Sequence, residues 1–167
     1  MYYKTNYSSP LGEMLLASDG EKLVGLWFEE QKYFGGDIKE EMTLRDDLPV
    51  FSVVSAWLDR YFRGEKPSVS ELLLAPRGGE FRQAVWDMLC EIPYGECVTY
   101  GFIAKSLAEK FGKASMSAQA VGGAVGHNPI SVIIPCHRVV GSDGSLTGYA
   151  GGVDKKLKLL ELEGVDV

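Results

Sequence analysis

Cys136 and His137 stand side by side in the stretch "SVIIPCHRVVGSDGS", a thiol and an imidazole between an apolar run and a glycine-rich turn. A thiol is a useful nucleophile only as its thiolate, and a neighbouring imidazole, or the guanidinium of Arg138, can lower a cysteine pKa from about 8.5. Successive residues on a regular strand point to opposite faces. Pro135 is expected to break a strand "SVII" just before the pair, and a turn there can bring both side chains to one cavity. A buried structural cysteine is the competing reading of the same dipeptide.

A third group lies further along the chain. A helix is predicted from Val153 to Gly164, and Glu161 and Glu163 fall in its last turn, where the helix dipole disfavours carboxylates. At about 100° per residue Glu163 falls between Leu159 and Leu160, whereas Glu161 falls beside Asp154 and Leu157. Glu163 is therefore the candidate inward carboxylate, orienting His137 in a Cys-His-Glu relay of nucleophile, base and orienter. A frayed, solvated helix end is the alternative. Between the thiol and this helix, "GSDGSLTGYAGG" sets five glycines around one aromatic, a loop able to wrap a planar ligand closely. Its plainer reading is a hairpin turn at Asp143-Gly144 followed by a flexible connection.

These residues need elements to hold them. "EFRQAVWDMLCEI", Glu80 to Ile92, has helical apolar spacing and stops at Pro93-Tyr94-Gly95. Thr99 can cap a second helix reaching about Phe111, and "SMSAQAVGGAVGHN" offers a capped third one ending at Asn128-Pro129. The two suggest a helix-turn-helix. Gly122, Gly123 and Gly126 inside the third helix each cost about 1 kcal/mol relative to alanine, so something is expected to approach its backbone closely: another protein segment, or a nucleic-acid backbone. The run lacks the spacing and the preceding strand of a dinucleotide-binding fingerprint. Upstream, "SPLGEMLLASDGEKLVGLWFEE" alternates on either side of Asp19-Gly20 and predicts a two-stranded hairpin. Gln31 to Asp47 is read as loop and Leu48 to Phe62 as a helix. The texture changes near residues 76–79, which divides the chain into an N-terminal α/β domain, 1–78, and a C-terminal domain, 79–167.

The chain has 167 residues, 46% of them apolar, enough to bury a real core in one domain or two small ones. Its three cysteines, Cys90, Cys97 and Cys136, form no Cys-x-x-Cys pair, and only two histidines, His127 and His137, accompany them. A disulfide framework and a structural metal site are both unexpected. With no basic segment leading into an apolar one at the start and no run long enough to span a bilayer, the cytoplasm is the expected compartment. The net charge is −6, yet between Cys97 and Leu160 seven cations (Lys105, Lys110, Lys113, Arg138, Lys155, Lys156, Lys158) face three acids, a local +4. Such a patch is either a solvated face or a nucleic-acid footprint.

Taken in order, "PYGECVTYG", "AQAVGGAVGHNP", "IPCHRVVGSDG" and "GYAGG" closely resemble the methylated-DNA–protein-cysteine methyltransferase family, the O6-alkylguanine-DNA alkyltransferases. The resemblance spans Glu80 to Gly164, with "PCHRV" its most specific element; the N-terminal hairpin resembles the family's smaller domain more loosely. It implies an α+β protein: a ribonuclease H-like sheet-plus-helix domain, then a winged helix-turn-helix-like DNA-binding and catalytic domain. It implies a suicide repair protein that flips an alkylated guanine out of duplex DNA and takes the alkyl group onto itself, as a monomer, without cofactor or membrane. O6-alkylguanine in double-stranded DNA is the implied substrate, with O4-alkylthymine a second candidate.

Residue by residue, the resemblance assigns Cys136 as nucleophile, His137 as its water-linked base and Glu163 as the orienting carboxylate. Tyr100 becomes the proton donor to guanine N3 and Asn128 a hydrogen-bonding support. Tyr149, Ala150 and Gly151 form the pocket loop, and backbone groups at Cys136 and Val139 accept from the guanine amine. Gln119, Gly122, Gly123 and Arg138 fall among the substrate- and DNA-binding residues, with the helix-turn-helix in the minor groove. Gln119 stands where many members carry an intercalating arginine, and Ala150 where many carry serine. Three rivals come from other classes. One is a damage-sensing protein resembling the non-transferring alkyltransferase-like proteins, which usually carry tryptophan in place of this cysteine; the others are a cysteine hydrolase and a transcriptional regulator.

Overall fold

The structure, a computed structural model, describes residues 1–146 and 148–166. It divides into two compact units, 1–77 with 129–131, and 78–128 with 132–167. A single cut near residue 78 thus misses one excursion: three residues between the third helix and Cys136 belong with the N-terminal unit. Thr147, inside the glycine-rich loop, and Val167 lie outside the described residues.

The first unit is a four-stranded sheet carrying one helix. Strands β1 (Tyr2–Ser9), β2 (Gly12–Ser18) and β3 (Leu23–Phe28) pair antiparallel, and β4 (Met42–Leu44) adds in parallel to β1, giving the order β3-β2-β1-β4. The Asp19-Gly20 turn joins β2 to β3 as expected: the Asp19 carboxylate accepts from the backbone N–H groups of Glu21 and Lys22, and Gly20 takes φ +109°. Two strands escaped the sequence reading. β1 is half polar, and β4 is a three-residue piece inside the segment read as loop, paired with a distant partner and packed through Met42 on Ala17, Val24 and Trp27. Helix α1 (Pro49–Phe62) starts on a proline, whose missing N–H is an orphan at that position anyway, and buries Phe51, Val54, Trp57, Leu58 and Tyr61.

All six residues of β3 are buried. Its outer edge would expose unpaired backbone groups, but two short segments cover it. Leu73 and Ala75 bond to Leu23, while Leu26 donates to the Pro129 carbonyl at 2.8 Å and accepts from Ser131 N–H at 2.9 Å. Ser131 also donates through its hydroxyl to Gln31.

The second unit is helical. α2 (Glu80–Cys90) buries Ala84, Val85, Trp86 and Leu89, and the Trp86 indole donates to the Ala124 carbonyl at 2.9 Å, tying α2 to α4. α3 (Tyr100–Lys110) and α4 (Ala118–Gly126) pack together as the expected helix-turn-helix. The Thr99 cap is as expected, accepting from Phe102 N–H, and the cap expected for the third helix is Ser117, which accepts from Ala120 N–H. β5 (Val98–Thr99) pairs in parallel with β6 (Val139–Val140), and α5 (Val153–Leu162) closes the unit.

Candidate active site

Every residue from Asn128 to Val140 is buried. "SVII" is not a strand, contrary to expectation: Ser131–Ile134 form a turn in which Val132 takes φ +69°, a conformation that costs a β-branched residue about 1–3 kcal/mol. Pro135 (φ −80°, ψ 65°) then makes an inverse γ-turn, with Cys136 N–H donating to the Ile134 carbonyl at 2.7 Å. One 3₁₀ turn, Cys136–Arg138, follows before β6. The proline therefore acts as expected, through a tighter turn.

That turn directs His137 and Arg138 at one carboxylate. Glu163, immediately after α5, receives His137 Nε2 at 2.6 Å and Arg138 Nε and Nη2 at 2.7 and 3.0 Å. Both the His137 and Glu163 side chains are fully buried, whereas Glu161 is exposed, as the helical spacing required. Burial alone would raise the Glu163 carboxyl, but His137 and Arg138 together hold it down at about 2. An ionised Glu163 fixes the proton of His137 on Nε2. Burial lowers His137 below its usual value, more than Glu163 raises it, so the ring is a neutral base at pH 7. Its other nitrogen, Nδ1, is buried and has no hydrogen-bond partner among the described residues.

Cys136 is 5% exposed. Burial pushes its thiol up, opposed by the Asn128 side chain, the Lys156 charge, its own backbone and Tyr149, all of which favour the thiolate. The groups that favour the thiolate thus include three outside the Cys-His-Arg run, Asn128, Lys156 and Tyr149. Asn128 is itself anchored, donating to the Ile134 carbonyl at 2.7 Å.

Arg138, expected among the DNA-facing residues, is turned inward. Its remaining guanidinium N–H group donates to the Ile92 carbonyl at 2.7 Å, and the side chain is 10% exposed. With Arg138 and Lys156 both buried, the exposed excess between Cys97 and Leu160 is +2 rather than +4. Lys156 is the functional candidate that sequence reasoning missed. The signal was there: Lys156, Leu159, Leu160 and Glu163 follow i, i+3, i+4, i+7, one helix face carrying two ionisable groups at its ends.

The remaining candidates lie on α3, α4 and the glycine-rich loop. Tyr100 opens α3 and its ring faces Gly122, where an added Cβ would sit 3.8 Å away. Gln119 and Gly123 are exposed on α4. An added Cβ at Gly123 or Gly126 would meet nothing within 4 Å among the described residues, so no protein segment there explains these two glycines. Ala150 and Gly151 are half-buried, and Val139 is fully buried with its carbonyl accepting from Lys156 Nζ at 2.6 Å.

Family models match both units. Residues 1–76 match the ribonuclease-like domain of 6-O-methylguanine DNA methyltransferase, and residues 80–165 its DNA-binding domain. The chain belongs to the 6-O-methylguanine DNA methyltransferase family. Among its relatives, the methylated-DNA–protein-cysteine methyltransferase of Haemophilus influenzae is 45% identical over 96% of this chain and 86% of its own. That of Methanosarcina acetivorans is 46% identical over 98% and 99%. The crystal structure of Mycobacterium tuberculosis OGT in complex with DNA is similar with a TM-score of 0.79 and 41% identity, covering 97% of this chain and 91% of that one. The ribonuclease-like match falls on the sheet-and-helix unit and the DNA-binding match on the helical unit, which holds the buried thiol, imidazole and carboxylate.

Proposed function

We propose that this methyltransferase repairs double-stranded DNA by one irreversible transfer of the alkyl group from guanine O6 to the sulfur of Cys136. The names of the relatives and the DNA complex of a similar structure support the activity and the partner. The observation that carries the assignment of roles is the buried line from Glu163 to His137 beside Cys136, with a neutral imidazole whose Nδ1 remains able to accept a proton.

His137 takes the thiol proton through one water, and Glu163 stabilises the imidazolium that results. The thiolate attacks the saturated carbon of the O6-alkyl group: an S–C bond forms, the C–O6 bond breaks, and its electron pair leaves on guanine. Tyr100 donates a proton to guanine N3 as that charge develops, and the phenol is reprotonated from solvent. The products are a thioether and an unmodified guanine. Nothing in the sequence reverses a thioether, so each molecule reacts once, without a cofactor.

The base must leave the stack, at a cost of a few kcal/mol. The open face of α4, with Gln119, Gly122 and Gly123, fits close approach to a minor groove, and Tyr149, Ala150 and Gly151 line the pocket for the extruded base. The protein acts as a monomer in the cytoplasm, where its three thiols stay reduced. Incubation with duplex DNA containing labelled O6-methylguanine, followed by peptide mass mapping, tests this reading. One methyl group per molecule, on Cys136, is expected, because burial raises all three thiols but Cys136 alone has an imidazole as its chain neighbour. Label on either of those with Cys136 untouched, or more product than protein, would sink it.

A further inference from the structure

Arg138 has no role in that scheme, yet it carries a charge into the interior of the second unit, where its side chain is 10% exposed. Its guanidinium meets both oxygens of Glu163. Nε reaches Oε1 at 2.7 Å and Nη2 reaches Oε2 at 3.0 Å, while Nη1 donates to the Ile92 carbonyl at 2.7 Å. The turn after α2 completes the grip. Gly95 N–H points at Oε1 from 3.4 Å, the Tyr94 hydroxyl donates to the Leu162 carbonyl at 3.2 Å, and the Tyr94 ring centroid lies 5.7 Å from the guanidinium carbon. Gly95 takes φ +85°, and an added Cβ there would stand 3.2 Å from the Glu163 carbonyl oxygen, so the turn needs glycine to come this close. His137 Nε2 takes the same Oε2 at 2.6 Å. With Arg138 forked across both oxygens the plane of the carboxylate is fixed, and so is the place where the imidazole donates.

We propose that Arg138 is a positioning residue for alkyl transfer: its guanidinium holds the Glu163 carboxylate in the orientation that receives His137 Nε2–H, and its charge balances the carboxylate so that the imidazole stays free to take the thiol proton. The inference rests on Cys136 being the alkyl acceptor and His137 its base. A buried anion beside a neutral imidazole, with no cation in contact, is costly. Such a pair takes a proton from solvent and settles as imidazolium and carboxylate, and an imidazolium cannot accept from the thiol. Arg138 supplies the balancing cation in advance. Burial is the chief cause that keeps His137 below its ordinary value; Arg138 and Lys156 act in the same direction, and Glu163 opposes them. Cys90 on α2, with Tyr94 and Cys97 in the segment that follows it, are the other titratable groups that feel the Arg138 and Glu163 charges. Among the cations, Arg138 is the one whose donors reach both Glu163 oxygens.

The test reads the imidazole and the transfer rate in parallel. Wild type, Arg138→Lys and Arg138→Met carrying isotope-labelled histidine are titrated by NMR, and single-turnover methyl transfer from duplex O6-methylguanine DNA is followed across the same pH series. In wild type the His137 ring should be neutral at pH 7 with its proton on Nε2. Loss of the cation in Arg138→Met should raise the His137 midpoint by at least about one unit and slow transfer at least about tenfold at pH 7, with the rate recovering as pH rises through the new midpoint. Arg138→Lys keeps the charge without the fork, so its midpoint should stay near that of wild type and part of the rate should return. Uniform slowing at every pH with an unmoved His137 midpoint would overturn the proposal, as would a charged His137 with undiminished transfer. Should neither variant fold, isotope-labelled arginine in the wild type gives the reciprocal measurement. The Arg138 Nε resonance should shift at the His137 midpoint, and a resonance indifferent to it overturns the proposal. A His137 midpoint governed by Arg138 in a protein that moves no methyl group would overturn the alkyl-transfer reading while supporting the Arg138–Glu163–His137 arrangement.

Discussion

Glu163→Gln removes one negative charge and almost no volume from the centre of the second unit. The Glu163 carboxyl titrates at about 2 when folded against an ordinary 4.5, and each pKa unit corresponds to about 1.4 kcal/mol, so ionisation of this group stabilises the fold by about 3 kcal/mol at pH 7. Because the folded value is the lower one, that contribution is complete above about pH 4.5 and fades as pH falls through about 2. The variant leaves the Arg138 guanidinium buried beside a neutral amide, and breaking one side of a buried pair costs about 3–5 kcal/mol. The amide can also donate to His137 Nε2, which moves the ring proton to Nδ1 and removes the base. The three tryptophans are divided between the units, with Trp27 and Trp57 in the first and Trp86 in the second, so bulk fluorescence would mix two transitions. Hydrogen exchange of α5 amides, corrected for intrinsic rates, isolates the second unit. At pH 7 the variant should exchange at least about 100-fold faster than wild type, and the gap should narrow toward pH 2, while alkyl transfer slows and duplex binding persists. A gap of the same size at both pH values would refute the assignment of this stability to the Glu163 charge.

Other substitutions probe the remaining parts of the site. Tyr100→Phe should slow single-turnover transfer about 100-fold with duplex binding retained; an unchanged rate removes its acid role. Gly123→Ala should stabilise the second unit by about 1 kcal/mol in thermal unfolding, since the added methyl meets nothing. Gly123→Leu should fold yet weaken duplex binding at least about tenfold, and undiminished binding would take α4 out of the DNA interface. Gln119→Arg should strengthen binding by about 1 kcal/mol at low salt and steepen its salt dependence by about one phosphate contact, measured by fluorescence anisotropy. An unaltered salt slope would place residue 119 away from the backbone.

The parts of this protein that could be read in advance are those specified within a few residues. Thr99 and Ser117 announce their helices because a hydroxyl accepts from an N–H two or three positions on, and Glu163 declares its direction by helical spacing alone. β4 could not be found that way, because it exists through pairing with β1 some forty residues earlier. "SVII" misled for the opposite reason: its β-branched residues favour a strand, but surrounding packing holds Val132 at a positive φ and overrides the local preference. Arg138 and Lys156 were counted as surface charge because composition carries no burial. For Lys156 the helical spacing with Leu159, Leu160 and Glu163 carried the missing information, whereas nothing local marks Arg138 as an interior group.

The three residues that leave the second unit to cover β3 bear on synthesis. A ribosome that has released residues 1–77 has not yet supplied everything the first unit needs: Leu26 is missing its bonds to Pro129 and Ser131, and Gln31 its bond from the Ser131 hydroxyl. Between Arg77 and Pro129 the nascent chain must emit α2, α3 and α4 while a buried strand waits with one edge incomplete. Domains usually finish in order of emergence. Here the first can be sealed only after Ser131 clears the exit tunnel, five residues before the nucleophile itself.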